Sequence, residues 1–266
     1  MRWRLGVGLI LLGCGAGEAP VERARAVEDV PPETLLLQFG ANHTSTLREP
    51  ERSLEELEDS RETAAGVERR QILRDLALAH LFEAEYLDEE EDERSLRRHR
   101  RKATQFAEAA GGRGADAYLA AEMDFVRLWC TWRGGRGPVD TRAERFIDRY
   151  PNSGDLLLLA WMIRGEVAFE EENFEGAANH FRFALGQLGH PLYAYALYRT
   201  AQSWEALGRG DDAREALEEV LPLACPEDAT EETVTVASMA AGALDAPLVR
   251  YEGRTVPEEC VPATEP

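Results

Sequence analysis

The sequence predicts an all-α fold, a solenoid of antiparallel helix pairs closed by a capping C-terminal helix. Three observations predict it. From about Leu54 onward, apolar residues recur at three- and four-residue spacing, the period of a helix with one buried face. Short glycine- and proline-bearing stretches, such as "RGGRGP" and "YPNS", interrupt that pattern where helices should end. Two segments then repeat one another. Ala177 matches Ala213, Phe181 matches Leu217 and Ala184 matches Val220, at a separation of 36 residues. This is close to the helix–turn–helix repeat period of about 34 residues.

The chain opens with "MRWRLGVGLILLG", a cationic start at Arg2 and Arg4 followed by an apolar run of about eight residues. A helix that crosses a bilayer needs roughly 20 apolar residues. The layout is that of a secretory signal, residues 1–13, cut before Cys14. Leu11-Leu12-Gly13-Cys14 resembles a bacterial lipobox. The resemblance implies a diacylglyceryl group on the Cys14 thiol and acylation of the new N-terminus. Two buried acyl chains already give stable anchoring. Gly15 stands where such proteins carry an aspartate for inner-membrane retention, so the expected address is the periplasmic side of a Gram-negative outer membrane. Residues 14–50 are expected to be the lipidated cysteine and a flexible tether, "GAGEAPVERARAVEDVPP" being small, charged and proline-bearing. The apolar patch "TLLLQFG" interrupts that tether. Asn42-His43-Thr44 matches a glycosylation sequon but carries little weight in such a protein.

The helical domain is expected over residues 51–245. In "RRQILRDLALAHLFEAEYL", Ile72, Leu73, Leu76, Ala77, Leu81 and Ala84 share one face. "DEEEDERSLRRHRRKA" sets acids before bases, so Glu90 with Arg94 and Glu93 with Arg97 suit i,i+4 pairing along a helix. Its acids lack the glycine and alternating spacing of a calcium loop. "ATQFAEAAGG", "ADAYLAAEMDFVRLWCTW" and "TRAERFIDRYPNSG" supply further helices. "RGGRGP" lacks the order of a phosphate-binding loop and is a turn. A last helix over about 230–244 is expected to cap the array, followed by an extended tail, 246–266.

The clearest units are 155–188 and 192–222. Trp161, Gly165, Phe174, Ala177, Phe181 and Ala184 in the first, and Trp204, Gly208, Ala213 and Leu217 in the second, resemble the tetratricopeptide repeat (TPR) family. Arg164 replaces the family's usual leucine in the first unit, and Ala201 its glycine in the second. Residues 67–110 and 115–150 fit as degenerate repeats. The "YPNS" junction is similar to that of periplasmic TPR lipoproteins of envelope assembly. The resemblance implies a concave groove lined by Leu159, Met162, Glu166 and Phe169 of the first unit and by Tyr195, Tyr198, Gln202 and Glu205 of the second. It implies a peptide or helix with apolar anchors as the occupant. Met162 and Glu166 stand where carboxylate-clamping TPR domains carry basic or amide residues, which argues against that partner class.

Composition narrows the rest. The formal charge is −20, and removing residues 1–13 takes two arginines and no acid with it. Such a chain is repelled by nucleic acid phosphates and by anionic lipid headgroups, so nucleic acid is not an expected partner and the lipid, not a basic patch, is expected to hold the protein to the membrane. Lys102 is the sole lysine among the basic residues. Cys130, in "FVRLWCTW", is expected to be a buried thiol, and Cys225 and Cys260 are a candidate bridge in an oxidising compartment. His43, His80, His99, His180 and His190 are scattered, and no nucleophile elbow, zinc-protease or dinucleotide motif occurs. No catalytic residue, metal or cofactor is therefore expected. The expected function is a membrane-anchored scaffold that binds other envelope proteins. The alternative is a lipoprotein that encloses a small ligand or cell-wall glycan. An open groove favours the first, a closed aromatic cavity the second.

Overall fold

A computed structural model of the chain describes residues 22–25, 30–44, 47–86, 93–135, 137–186, 190–251 and 253–261. The signal segment, Cys14 and Glu90 lie outside the described residues. Among those residues the chain forms eleven α-helices: α1 (Pro32–His43), α2 (Leu54–Thr63), α3 (Gly66–Tyr86), α4 (Glu93–Ala110), α5 (Ala117–Arg133), α6 (Val139–Arg149), α7 (Asp155–Glu170), α8 (Phe174–Leu185), α9 (Leu192–Ala206), α10 (Gly210–Val220) and α11 (Glu231–Ala243). Three short strands, β1 (Glu22–Ala24), β2 (Leu248–Tyr251) and β3 (Arg254–Pro257), complete it. The fold is mostly helical, as the periodicity predicts.

Local chemistry starts several of these helices. Ser53 and Glu56 form a reciprocal capping box on α2: the Glu56 amide donates to Ser53 Oγ at 3.3 Å, and the Ser53 amide to Glu56 Oε2 at 2.9 Å. Asp116 caps α5 by accepting from the Leu119 amide at 2.8 Å. Thr230 caps α11 through the Thr233 amide at 3.2 Å. On α4, Leu96, Arg100, Ala103, Ala107 and Ala110 are buried while Arg94, Arg97, Arg98 and Arg101 are exposed, and Arg97 pairs with Glu93 as the charge order predicts.

The helices from α3 to α10 pack as consecutive pairs, each second helix also touching the first helix of the next pair. First helices run the same way. Arg74 in the first half of α3 meets Glu122 in the first half of α5 at 2.6 Å, and Glu85 near the end of α3 meets Arg133 at the end of α5 at 3.1 Å. Close approach within a pair depends on small residues facing large ones. At Gly165 an added Cβ would overlap the Phe181 ring, with Cζ at 2.7 Å. In the next pair both sides of that contact change together: Ala201 replaces the glycine and the smaller Leu217 replaces the phenylalanine. Total volume is conserved, which is the substitution pattern a close-packed interior tolerates.

Helix α11 packs against α9 and α10 and buries Val236, Ala237, Ala240 and Ala241, covering the end of the stack. Two expectations change. The tail is ordered rather than merely extended: β2 and β3 form an antiparallel hairpin, and β1 joins the other edge of β2, with Arg23 opposite Val249 and Val249 opposite Val256. Val249 and Val256 are buried beside buried Leu248 and Pro257, so "PLVRYEGRTVP" carries no alternation by which strands could be read. Cys225 and Cys260 are bridged, with Cα atoms 4.7 Å apart, which ties the hairpin to the turn after α10. Closing a loop of 35 residues restricts the unfolded chain enough to stabilise the fold by about 4 kcal/mol on the chain-entropy account.

The second change concerns the tether. Residues 32–43, placed by the sequence reading inside a flexible segment, form α1, and Leu35, Leu36, Leu37 and Phe39 are buried in the main core. Pro32 at the first helical position and Glu33 in the first turn suit a helix start. The "TLLLQFG" patch is therefore a core helix rather than part of a spacer. Among the described residues, no helix is long and apolar enough to cross a membrane.

Candidate functional site

The sequence places the site on the first helices of the repeat pairs, and α1 lies across those helices. Glu33 pairs with Arg133 of α5 at 2.8 Å. Phe39 packs on Tyr195 of α9 with ring centroids 6.3 Å apart. At Gly40 the position a Cβ would take lies 3.6 Å from Leu159 Cδ1 of α7, an ordinary packing distance, and 3.1 Å from Leu47 Cδ1. Asn42 donates to Glu232 of α11 at 2.5 Å. A single helix thus touches the inner helices from one end of the stack to the other.

The predicted groove residues are placed accordingly. Leu159, Met162, Glu166, Tyr195 and Tyr198 are all buried, Phe169 and Gln202 are half-buried, and Glu205 is exposed. The structure brings five of the eight together, around a residue the sequence reading missed. Arg199 Nε donates to Glu166 Oε1 at 2.9 Å, and Nη2 pairs with Oε2. The Tyr195 hydroxyl donates to Glu166 Oε1 at 2.6 Å. The Arg199 guanidinium lies 4.1 Å from the centre of the Phe169 ring and also donates to Gln202, which in turn donates to the Tyr198 hydroxyl at 3.0 Å. Burial pushes Glu166 above the ordinary carboxylate range, against the pull of Arg199 and its hydrogen bonds. Burial works against the Arg199 charge too, but Glu166 and Tyr195 outweigh it and hold the guanidinium above its usual value. Burial and the adjoining Glu166 carboxylate drive Tyr195 well above the usual phenol range, so its hydroxyl stays a donor. This is a satisfied internal network and not a surface that offers aromatics and acids to a partner. The expectation of an open groove is corrected on this point, because the chain's own α1 fills it.

Cys130 is a buried thiol, pushed up to about 12 by burial, and has no thiolate character at neutral pH. Among the described residues, no group of three or more His, Cys, Asp or Glu side chains is arranged to hold a metal ion.

His80 is the other buried titratable group of note. It stacks on Phe106, with planes 3° apart, and its Nδ1 lies 3.1 Å from Nδ1 of His99. Burial, then Lys102, His99 and Arg98, push it down to about 3. The folded pKa lies below the unfolded value of 6.5, so as pH falls the unfolded chain takes up this proton first. Stability present above pH 6.5 is therefore lost between 6.5 and about 3, at up to about 1.4 kcal/mol per pH unit. Urea unfolding at pH 7.5 and pH 5 should show His80→Gln losing about 2 kcal/mol less than the unaltered protein. Equal losses in the two proteins would show that His80 titrates normally in the fold.

No family model, no curated protein and no solved structure matches the chain.

Proposed function

We propose that the protein is a lipid-anchored scaffold on the periplasmic side of the outer membrane, built on a TPR-like array and holding other proteins of a cell-envelope complex. The observation that carries this reading is the paired exchange Gly165/Phe181 for Ala201/Leu217 at a constant offset of 36 residues. It marks successive copies of one helix-pair unit, and stacked units of this kind present extended surfaces for protein contact. The lipobox-like "LLGC" at 11–14 supplies the address, and the Cys225–Cys260 bridge suits an oxidising compartment. With α1 in the groove, partner contact is assigned to the outer surface, where Tyr118 and Phe183 are exposed.

The test is crosslinking in intact cells, with mass spectrometry of what co-purifies, for the native protein and a Cys14→Ser form. Specific envelope proteins should appear with the first and vanish with the second. If neither form captures protein, the scaffold reading fails. Equal capture by both forms would remove the anchor from the account.

A further inference from the structure

The chain joins the folded body ahead of α1, at β1. That strand pairs antiparallel with β2, with Glu22 opposite Arg250, Arg23 opposite Val249 and Ala24 opposite Leu248, and Ala24 packs against the main core. The sheet is itself fixed. Strand β3 packs on α11, and the Cys225–Cys260 bridge ties the end of the hairpin to the turn after α10. Entry into the fold is therefore at the α11 end of the stack, and α3 lies at the other end. The inner helices α3, α5, α7, α9 and α11 touch in that order. At about 8–10 Å between neighbouring axes, four steps separate α3 from α11 by roughly 35 Å. The length of chain ahead of β1 is short. Seven residues, 15–21, stand between Cys14 and Glu22, so those two are at most about 28 Å apart. With β1 undocked the body would begin at α1, and eighteen residue steps from Cys14 to Pro32 would reach about 60 Å. Docking three residues into the sheet cuts the reach by half.

We infer that the sheet-bearing end of the stack faces the membrane, and that β1 is the strap that holds it there. The inference rests on the proposed lipid anchor at Cys14, which puts a bilayer surface within reach of the sheet. It needs no attraction between protein side chains and headgroups. The formal charge of −20 pushes the body away from anionic lipid, while the strap keeps one end close. Together they stand the stack off the membrane, with α11 and the sheet near it and α2, α3 and α4 far from it. The α3–α5 half, with its exposed Tyr118, is left free for partners that stand away from the bilayer.

The experiment uses the full acylated chain, reconstituted into vesicles whose headgroups carry an energy-transfer acceptor. The donor dye is attached through an azide-bearing residue in place of Glu259, exposed at the sheet end, or of Arg69, exposed at the start of α3. Neither attachment uses a thiol, so the Cys225–Cys260 bridge is untouched. Transfer from Glu259 should exceed transfer from Arg69 severalfold. Two variants then lengthen the tether. Arg23→Pro with Ala24→Pro removes a ladder amide whichever way β1 faces, since successive amides of a strand point to opposite edges. An insertion of about ten glycine and serine residues after Ala16 adds a similar length with β1 left in place. Each should lower the Glu259 signal toward that of Arg69. Equal transfer from the two sites, or stronger transfer from Arg69, overturns the inference. So does a Glu259 signal that the insertion leaves unchanged. A signal lowered by the insertion but not by the prolines overturns the part given to β1. Acylation of Cys14 is read separately by incorporation of labelled palmitate. Equal transfer from an acylated chain leaves the anchor standing and removes the orientation, whereas absence of acylation removes the anchor and the inference with it.

Discussion

Replacing Glu166 by alanine is expected to destabilise the protein by about 4 kcal/mol, because it strands the buried Arg199 guanidinium without its carboxylate. The loss has three parts in the structure. Arg199 loses both of its contacts with the carboxylate, Tyr195 loses the acceptor for its hydroxyl at 2.6 Å, and water cannot reach the site to replace either. Fixing the arginine on the Phe169 ring does not compensate, since that contact is already made in the intact protein and even a desolvated cation–π contact is worth only about 2 kcal/mol. Urea unfolding of Glu166→Ala at pH 7 measures the cost. The double variant Glu166→Leu with Arg199→Met should recover most of it, because replacing a buried ion pair by apolar residues of similar volume is near neutral. A single-variant cost below about 1 kcal/mol, the range of exposed ion pairs, would mean that the pair is solvated and the groove open after all.

Phe39→Ala should cost about as much, roughly 3–5 kcal/mol, by the usual penalty for deleting a buried aromatic ring. Its site explains the size. Phe39 is 2 % exposed, sits on Tyr195, and lies on a helix with three buried leucines. The same substitution in a spacer segment would do nothing measurable. Hydrogen exchange gives an independent readout: the α1 amides should be protected as strongly as those of α7, and in Phe39→Ala both helices should lose protection together. A fast-exchanging α1 in the unaltered protein would place it on the array rather than within it.

The difference between those outcomes shows what was legible in the sequence. Helix spacing in α3 to α10 was legible because periodicity and small-to-large pairs such as Gly165 with Phe181 are local signals. The repeat offset identified equivalent positions, and Glu166, Phe169, Tyr195, Tyr198 and Gln202, which it set on the inner helices, meet in the structure around Arg199. What faced that side was not legible, because nothing in "TLLLQFG" says which distant helices it meets. Two signals were available. Arg199 is the lone charge in the apolar run "LYAYALYRTAQSW", and Glu166 is alone among apolar residues in "GEVAF". A solitary charge of each sign on two buried helices predicts that they meet, since burying either alone is prohibitive. Likewise, three consecutive leucines before a phenylalanine are more than a spacer needs. The hairpin was hidden because four-residue strands leave too little alternation to read, and its register depends on β1, more than 220 residues away in the chain.

Helix α1 also changes how the stack should respond to stress. In a linear array each unit touches only its neighbours, so the ends fray and units unfold one after another. Here α1 joins α5, α7, α9 and α11, and its Asn42 reaches Glu232 across 190 residues of sequence. The stack behaves as a closed body, in which loosening any inner helix also loosens the helix that all of them share. Unfolding should then be a single cooperative transition. Folding should be slow for a helical protein, because α1 finds its seat only after helices made much later in the chain have assembled around it.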